Sequence, residues 1–397
     1  MTQGSGKLTG QIGFIAFAAL MLGHASQGLT FTAFSPGLPA MAQSFDATGH
    51  GMEIAQQSVT IAALGIIAGA FSSGKIIDIV GSRVTMLTAL ALFGITGLGG
   101  LFLADPWTLL ASRVINGFSV ACLVTACVNT ISILFEGNAR AKAIGIAGAM
   151  GSAMALVGLL AGGVLAQKFG WRAAFIQFPV FAAAGFILTL IGIRNTAPLI
   201  HDTTAENHSW IKILPLLVLA TIIIMVMFLG TAQIAFLLSQ NGVTASTTIS
   251  LVMGTVTLFA VFVGLLFGSL EHRLGLQATL ALGFAACGAG LALLGLVPSL
   301  PAAFAGAALL GTYTGIALPY PYHAVTLKTP AHARAKAIGA VGAFSFFGAI
   351  ANPFVFEPMT KAVGLHNVFI IAGAFTGVLA LGALLKAKSQ SGILQGG

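Results

Sequence analysis

An all-α membrane protein of twelve transmembrane helices, built as two pseudo-symmetric six-helix bundles, is the fold this sequence predicts. Three observations predict it. Charged residues make up 7% of the 397, where a soluble domain carries about a quarter. Apolar runs of about 20 residues, the length that crosses about 30 Å of hydrocarbon, return along the whole chain, at a mean hydropathy of +1.00. A short segment beginning at Ala139 recurs almost verbatim from Ala333.

Apolar runs between polar punctuation place the helices, in order, near 12–36, 53–75, 84–104, 108–134, 142–166, 172–193, 211–238, 246–270, 275–297, 301–325, 336–357 and 366–386. The first follows a polar start bearing Lys7 and runs from Ile12 to about Ser35. It outruns a secretory signal core, and no small-residue cleavage pattern leads into a polar chain, so it reads as a retained helix. It carries His24 and Gln27, and the second carries Glu53 near one end. The fourth holds Arg113, Asn116 and Asn129. The fifth holds Gly145, Gly148 and Gly151, a spacing suited to close helix packing in lipid. The sixth opens at Trp171 and the seventh holds Gln233. The tenth carries His323 and all three tyrosines, Tyr313, Tyr320 and Tyr322. Its Pro319 and Pro321 should kink or end it. The eleventh has Glu357 near one end. The third, fifth, eighth, ninth and twelfth have essentially no strongly polar side chain away from their ends. Cys122, Cys127 and Cys287 fall inside apolar stretches with no metal-ligand spacing, so they read as small buried hydrophobes and imply neither metal nor cofactor.

Charge orients the chain. With the N-terminus in the cytoplasm, the cytoplasmic segments collect Lys7, Lys75, Arg83, Arg140, Lys142, Arg194, Lys212, Arg273, Lys328, Arg334, Lys336, Lys386 and Lys388. Lys168, Arg172 and Lys361 fall outside, and Arg113 lies within a helix. That asymmetry predicts a multi-pass protein of the bacterial inner membrane with both termini cytoplasmic. The net charge of +8 then implies no nucleic acid partner; the partners expected are lipid, a small-molecule substrate and protons, and the protein is expected to be a monomer. Trp107, Trp171 and Trp210 stand at predicted helix starts, where an indole anchors at the headgroup level.

The repeat shows how the chain is organised. Ala139-Arg-Ala-Lys-Ala-Ile-Gly145 returns as Ala333-Arg-Ala-Lys-Ala-Ile-Gly339, 194 positions on. Gly74, Gly81 and Gly117 map by the same shift to Gly268, Gly275 and Gly311. A shift of six helices keeps the direction of crossing, so the halves are parallel repeats about an axis along the membrane normal. The predicted division is 1–194, a cytoplasmic linker at 195–210 bearing Pro198, His201, Asp202, Glu206 and His208, and 211–397.

Motifs now add a resemblance. Gly74-Lys-Ile-Ile-Asp78-Ile-Val-Gly81-Ser-Arg83 resembles the signature loop between helices 2 and 3 of major facilitator superfamily transporters. Arg113-Val-Ile-Asn-Gly117 resembles that family's helix 4 motif, Gly170-Trp-Arg-Ala-Ala-Phe175 resembles the start of its helix 6, and Pro36 and Pro39 fit its helix 1. The second half keeps a weaker copy, Gly268-Ser-Leu-Glu271-His-Arg-Leu-Gly275. The likeness runs toward the twelve-helix drug and metabolite exporters that exchange substrate for protons. One feature departs from it: Gly158-Leu-Leu-Ala-Gly-Gly163 keeps the glycines of the exporters' helix 5 signature but has Leu159 at its proline position. The resemblance implies that helices 1, 4, 7 and 10 line a central cavity. It also implies a gating loop of Gly74, Asp78, Gly81 and Arg83, with Asp78 latching the halves on the cytoplasmic side in the outward-open state, through Arg83, Arg140 or the positive end of a nearby helix.

Polarity points to the same four helices independently, since an unpaired polar group costs several kcal/mol in lipid and must face protein or a wet cavity. The expected substrate-binding residues are His24, Gln27, Arg113, Asn116, Asn129, Gln233, Tyr313 and Tyr320. His24 and Gln27 share a helix face, as do Tyr313 and Tyr320, which form a candidate aromatic wall unless Tyr320 and Tyr322 are interface anchors. Arg113 would hold an anionic substrate, modulate a nearby proton site, or bond backbone carbonyls. All nine acidic residues stand at helix ends or in loops, which leaves Glu53, Glu357, His24 and Arg113 as proton-coupling candidates. The expected function is proton-coupled export of a small amphipathic or organic-anion compound. Proton-coupled uptake and a transporter-like sensor stand as alternatives. No clustered catalytic ligands and no phosphate-cradling loop occur, so neither an enzyme nor an ATP-driven pump is expected.

Overall fold

In the computed structural model the protein is helical throughout the described residues, which are 13–194, 213–330 and 334–395. The expected linker with Trp210 lies outside them, as does the start of the second Ala-Arg-Ala-Lys copy. Among the described residues, twelve helical stretches are long and apolar enough to cross a membrane. The first comprises α1 (Phe14–Thr32), a 3-10 turn at Ser35–Gly37 and α2 (Leu38–Ser44). Proline lacks the N–H a continuing helix needs but suits a first turn. Pro36 and Pro39 therefore restart the helix and carry it to Ser44, rather than ending it near 36 as expected. The second span is α3 (Gly51–Thr60) and α4 (Ala62–Val80). Then come α5 (Ser82–Phe102), α6 (Pro106–Leu134), α7 (Gly137–Phe169), a 3-10 turn at Trp171–Ile176 and α8 (Gln177–Gly192).

The later spans are α9 (Leu214–Gln240), α10 (Ser246–Leu274), α11 (Leu276–Leu296), α12 (Leu300–Ala317) with α13 (Pro319–Lys328), α14 (Arg334–Val363) and α15 (Leu365–Gln395). The expected break in the tenth falls at Leu318, directly before Pro319.

The duplication is visible in backbone chemistry. Gly81 and Gly275, 194 apart, both sit at positive φ (81° and 82°) as the residues preceding α5 and α11. Gly170 and Gly364 are again 194 apart, at φ 85° and 82°. Left-handed backbone costs an L side chain about 1–2 kcal/mol, so glycine suits all four. Asp105 caps α6 through Thr108 N, and Ser299, 194 on, caps α12 through Ala302 N. Packing repeats as well: α5 packs on α6 and α8, as α11 packs on α12 and α15.

By contact the described chain forms two compact units, one of 13–33, 64–158 and 175–194, the other of 34–63, 159–174, 213–330 and 334–395. The first unit is cored by Leu20, Met86, Leu90, Leu123, Cys122 and Cys127. All three cysteines are free and buried. The second gathers the far ends of the first, second and fifth spans, those remote from the start of α1, around the later helices. The 3-10 turn at Ser35–Gly37 packs on α10, and α3 packs on α9 and α14.

Trp171 and the glycine series of α7 also differ from expectation. Trp171 is 8% exposed, stacked near Phe45 and covered by the Arg172 guanidinium, 4.4 Å from its ring, so it is a packed side chain and not a headgroup anchor; Trp107 is exposed. A Cβ at Gly145 or Gly148 would meet nothing within 4 Å, whereas one at Gly151 would press on the His24 backbone. Of that glycine series, only Gly151 serves close packing.

Candidate functional site

Within the first unit, α6 presents Arg113 and Asn116 on one face, three residues apart. Both are fully buried. Arg113 donates to the Thr30 carbonyl at 2.6 Å and to Asn116 Oδ1 at 3.1 Å, and its guanidinium lies 5.0 Å from the Phe178 ring centroid. Asn116 Nδ2 lies 3.3 Å from both the Phe93 carbonyl and Thr96 Oγ1. A guanidinium has donors only, so carbonyl oxygens and an aromatic face are the chemistry it needs when buried. The network joins α1, α5, α6 and α8. His24 and Gln27, half-buried, follow one face of α1; His24 Nδ1 is buried and makes no hydrogen bond among the described residues. Asn129 Nδ2 donates to Ser82 Oγ at 2.9 Å, tying α6 to the start of α5.

In the second unit two polar layers close the far end. Gln56 of α3 and Gln233 of α9 are both buried and reciprocally bonded: each Nε2 donates to the other's Oε1, at 2.9 and 3.1 Å. On the same face of α3, one turn away, Glu53 meets α14. Lys361 donates to Glu53 Oε1 and lies 3.1 Å from Glu357 Oε1, while His50 Nδ1 is 2.9 Å from Glu53 Oε2. These side chains, with Gly49, Met52, Gln56 and Thr360, line a small cavity of about 110 Å³. The fifth span adds close contacts, because a Cβ on Gly163 would overlap Ser250 and Gln167 accepts from Ser246 N at 2.7 Å.

The remaining candidates lie apart. Tyr313 is buried and donates to the Ile223 carbonyl at 2.9 Å; Tyr320 is buried on α13. His323 Nε2 lies 3.3 Å from Glu271 Oε1. In the signature loop, Gly74 faces open space and Gly81 supplies the left-handed turn. The Asp78 latch is expected with the far end open, and with that end closed Asp78 has no ion pair among the described residues. Asp78 is exposed, Arg83 donates to the Leu190 carbonyl, and Arg140 donates to the carbonyls of Ser132 and Phe135, each at 3.0 Å. Those carbonyls are unpaired C-terminal acceptors of α8 and α6, which a guanidinium satisfies.

The structure thus brings Glu53 together with Glu357, and Arg113 with Asn116. Sequence reasoning missed Gln56, His50 and Lys361. A signal existed for two of them, since Gln56 follows Glu53 by three and Lys361 follows Glu357 by four, both one-face spacings. Among the described residues no group of His, Cys, Asp and Glu converges as metal ligands.

A family model described as Major Facilitator Superfamily matches residues 20–243 and 216–393. Puromycin resistance protein pur8 of Streptomyces alboniger is 36% identical over 123 residues, 30% of this chain and 24% of that protein. Cephamycin export protein CmcT of Amycolatopsis lactamdurans is 29% identical over 157 residues, 38% of this chain and 32% of that one. Multidrug resistance protein MdtL of Escherichia coli O157:H7 is 27% identical over 175 residues, 43% and 44% of the two chains. The matched stretches span less than half of each of these relatives. Among solved structures, a D-xylose–proton symporter is similar in fold at TM-score 0.72 and 15% identity, covering 91% of this chain and 97% of that one. The nucleoside transporter NupG is similar at TM-score 0.66 and 15% identity, covering 95% and 99%.

Proposed function

The chain belongs to the Major Facilitator Superfamily, whose members here are transporters and not enzymes, and from that premise we propose a proton-coupled carrier that exports small amphipathic or organic-anion compounds by alternating access. The observation that carries this reading is the closure of one end by separable polar contacts. An amide pair and an ion cluster can exchange their partners for water when the end opens, at little net cost per hydrogen bond, whereas an apolar core cannot. The six-helix halves, 1–194 and 211–397, are the bodies that would rock. Both termini face the cytoplasm of a bacterial inner membrane, by the distribution of Lys and Arg. His24 and Gln27 contact substrate. Arg113 and Asn116 stiffen the wall behind them, and His24, whose buried Nδ1 is unbonded, carries the coupled proton.

The test uses purified protein in liposomes under an imposed proton gradient, with puromycin as probe. Export predicts puromycin moving against the proton flux and counterflow without a gradient. His24→Ala should keep counterflow and lose the gradient dependence. Movement with the proton flux would establish uptake instead, the reading favoured by Leu159 at the helix 5 proline position. Saturable binding without counterflow would leave a sensor and sink the proposal.

A further inference from the structure

The charged cluster between α3 and α14 has a charge imbalance that the transport reading leaves unexplained. Glu53 and Glu357 line the same small cavity and share one cation. A single ammonium, Lys361, touches both carboxyls, and His50 takes the second oxygen of Glu53. The carboxyl side chains are recessed, 21% and 17% exposed, while Lys361, 64% exposed, forms the rim. The neighbouring elements add little charge. Asp46 lies against Gly51, α2 and α9 carry no ionisable side chain, and His366 at the start of α15 is held 2.9 Å from Asn241. Two carboxylates gathered on one ammonium do not both ionise readily, and one lysine offsets one of them.

We propose that Glu53 and Glu357 bind one proton between them when the far end is closed, and that this site exchanges it only with the side opposite the start of α1. Closure brings carboxylate to carboxylate, and a proton added to one converts repulsion into a carboxyl-to-carboxylate hydrogen bond. The site already opens to that side through the exposed rim, and parting α3 from α14 opens it further to the same side. Gln56, on the wall of the same cavity, is itself buried and bonded to the buried Gln233. A group that meets one compartment in both states senses the pH there and carries no proton across. The cluster is therefore a proton-operated gate, distinct from the coupling group. It rests on the transport reading only for the naming of that side as the outside.

The experiment measures the gate without substrate. Spin labels at Thr48→Cys and Asn367→Cys report its width, and the native cysteines are all buried. As pH falls, the ratio of closed to open should rise by up to about tenfold per pH unit through one-proton linkage. Glu357→Gln, which mimics the protonated carboxyl, should be closed at every pH. Lys361→Gln should move the midpoint upward by about one unit, since losing the cation strengthens proton binding. If the parent stays closed throughout, Gln56→Leu weakens closure and brings the transition into range. A flat curve in that background overturns the gate, as does undiminished titration in Glu357→Gln. So does a response, in liposomes, to pH on the α1-start side alone. None of these outcomes depends on coupled puromycin movement, so the two proposals fail separately.

Discussion

Asn116 has a single carbonyl and a single amide, and both are in use: the oxygen receives Arg113, and the nitrogen lies against Phe93 O and Thr96 Oγ1. Replacing it by leucine keeps the volume but takes one acceptor from a buried guanidinium, a loss of about 1.5–3 kcal/mol. Denaturation of the purified Asn116→Leu protein in detergent should show it, and a change below about 0.5 kcal/mol would mean the network is ornamental. The spacing of Arg113 and Asn116 was readable from sequence because a helix fixes which residues share a face. Their partners, Thr30, Thr96 and Phe178, come from three other helices, and no local pattern specifies those. Gln56 and Gln233 illustrate the same limit, 177 positions apart yet reciprocally bonded. Either glutamine changed to leucine leaves the other's amide dry and unpaired, costing about 1–3 kcal/mol, while the double change removes both needs. A double-mutant cycle in detergent should therefore give a coupling energy of at least about 1 kcal/mol, with the double variant more stable than the worse single. Strict additivity would show that the pair does not hold.

At the scale of elements, glycine is informative only where the backbone approaches something. Gly163 of α7 faces Ser250 of α10 so closely that an added Cβ would sit 2.3 Å from Ser250 Oγ and 2.9 Å from the Ser246 carbonyl. Gly163→Ala should push the two helices apart, raising the labelling rate of a cysteine at Gln56 from the far side. Ser250→Gly added to it should restore part of the protection. Gly145→Ala, placed in open space on the same helix, should leave that rate unchanged and stabilise α7 by about 0.5–1 kcal/mol through lost backbone freedom in the unfolded chain. Equal effects at the two sites would remove the argument. Sequence alone could not separate Gly163 from Gly145, because both stand in glycine-rich apolar runs and the distinction lies in what the opposite helix offers. It did place the break in the tenth span, since a proline's missing N–H acts locally and Pro319 restarts that span as α13, but it ended the first span near 36, where Pro36 and Pro39 restart the helix as α2.

For the molecule as a whole, hydropathy and the 194-residue repeat made the class and the duplication legible, because span length and repeated glycine geometry are properties of the chain itself. What the sequence could not carry is which end is shut, since that depends on contacts between remote segments and changes with the working state. Here the far end is shut by α3 against α9 and α14. The proposed alternating access requires that end to open in every cycle. Cysteines at Gln56 and Gln233, bridged by a short bifunctional thiol reagent, should hold α3 to α9 and abolish puromycin counterflow in liposomes. Puromycin binding to the bridged protein should persist, because the bridge leaves His24 and Gln27 untouched. Cleaving the bridge with reductant should bring exchange back, which separates a locked gate from damaged protein. A bridged protein that exchanges at the unbridged rate would show that the α3–α9 contact never opens, and a carrier built on this closure would then need another door.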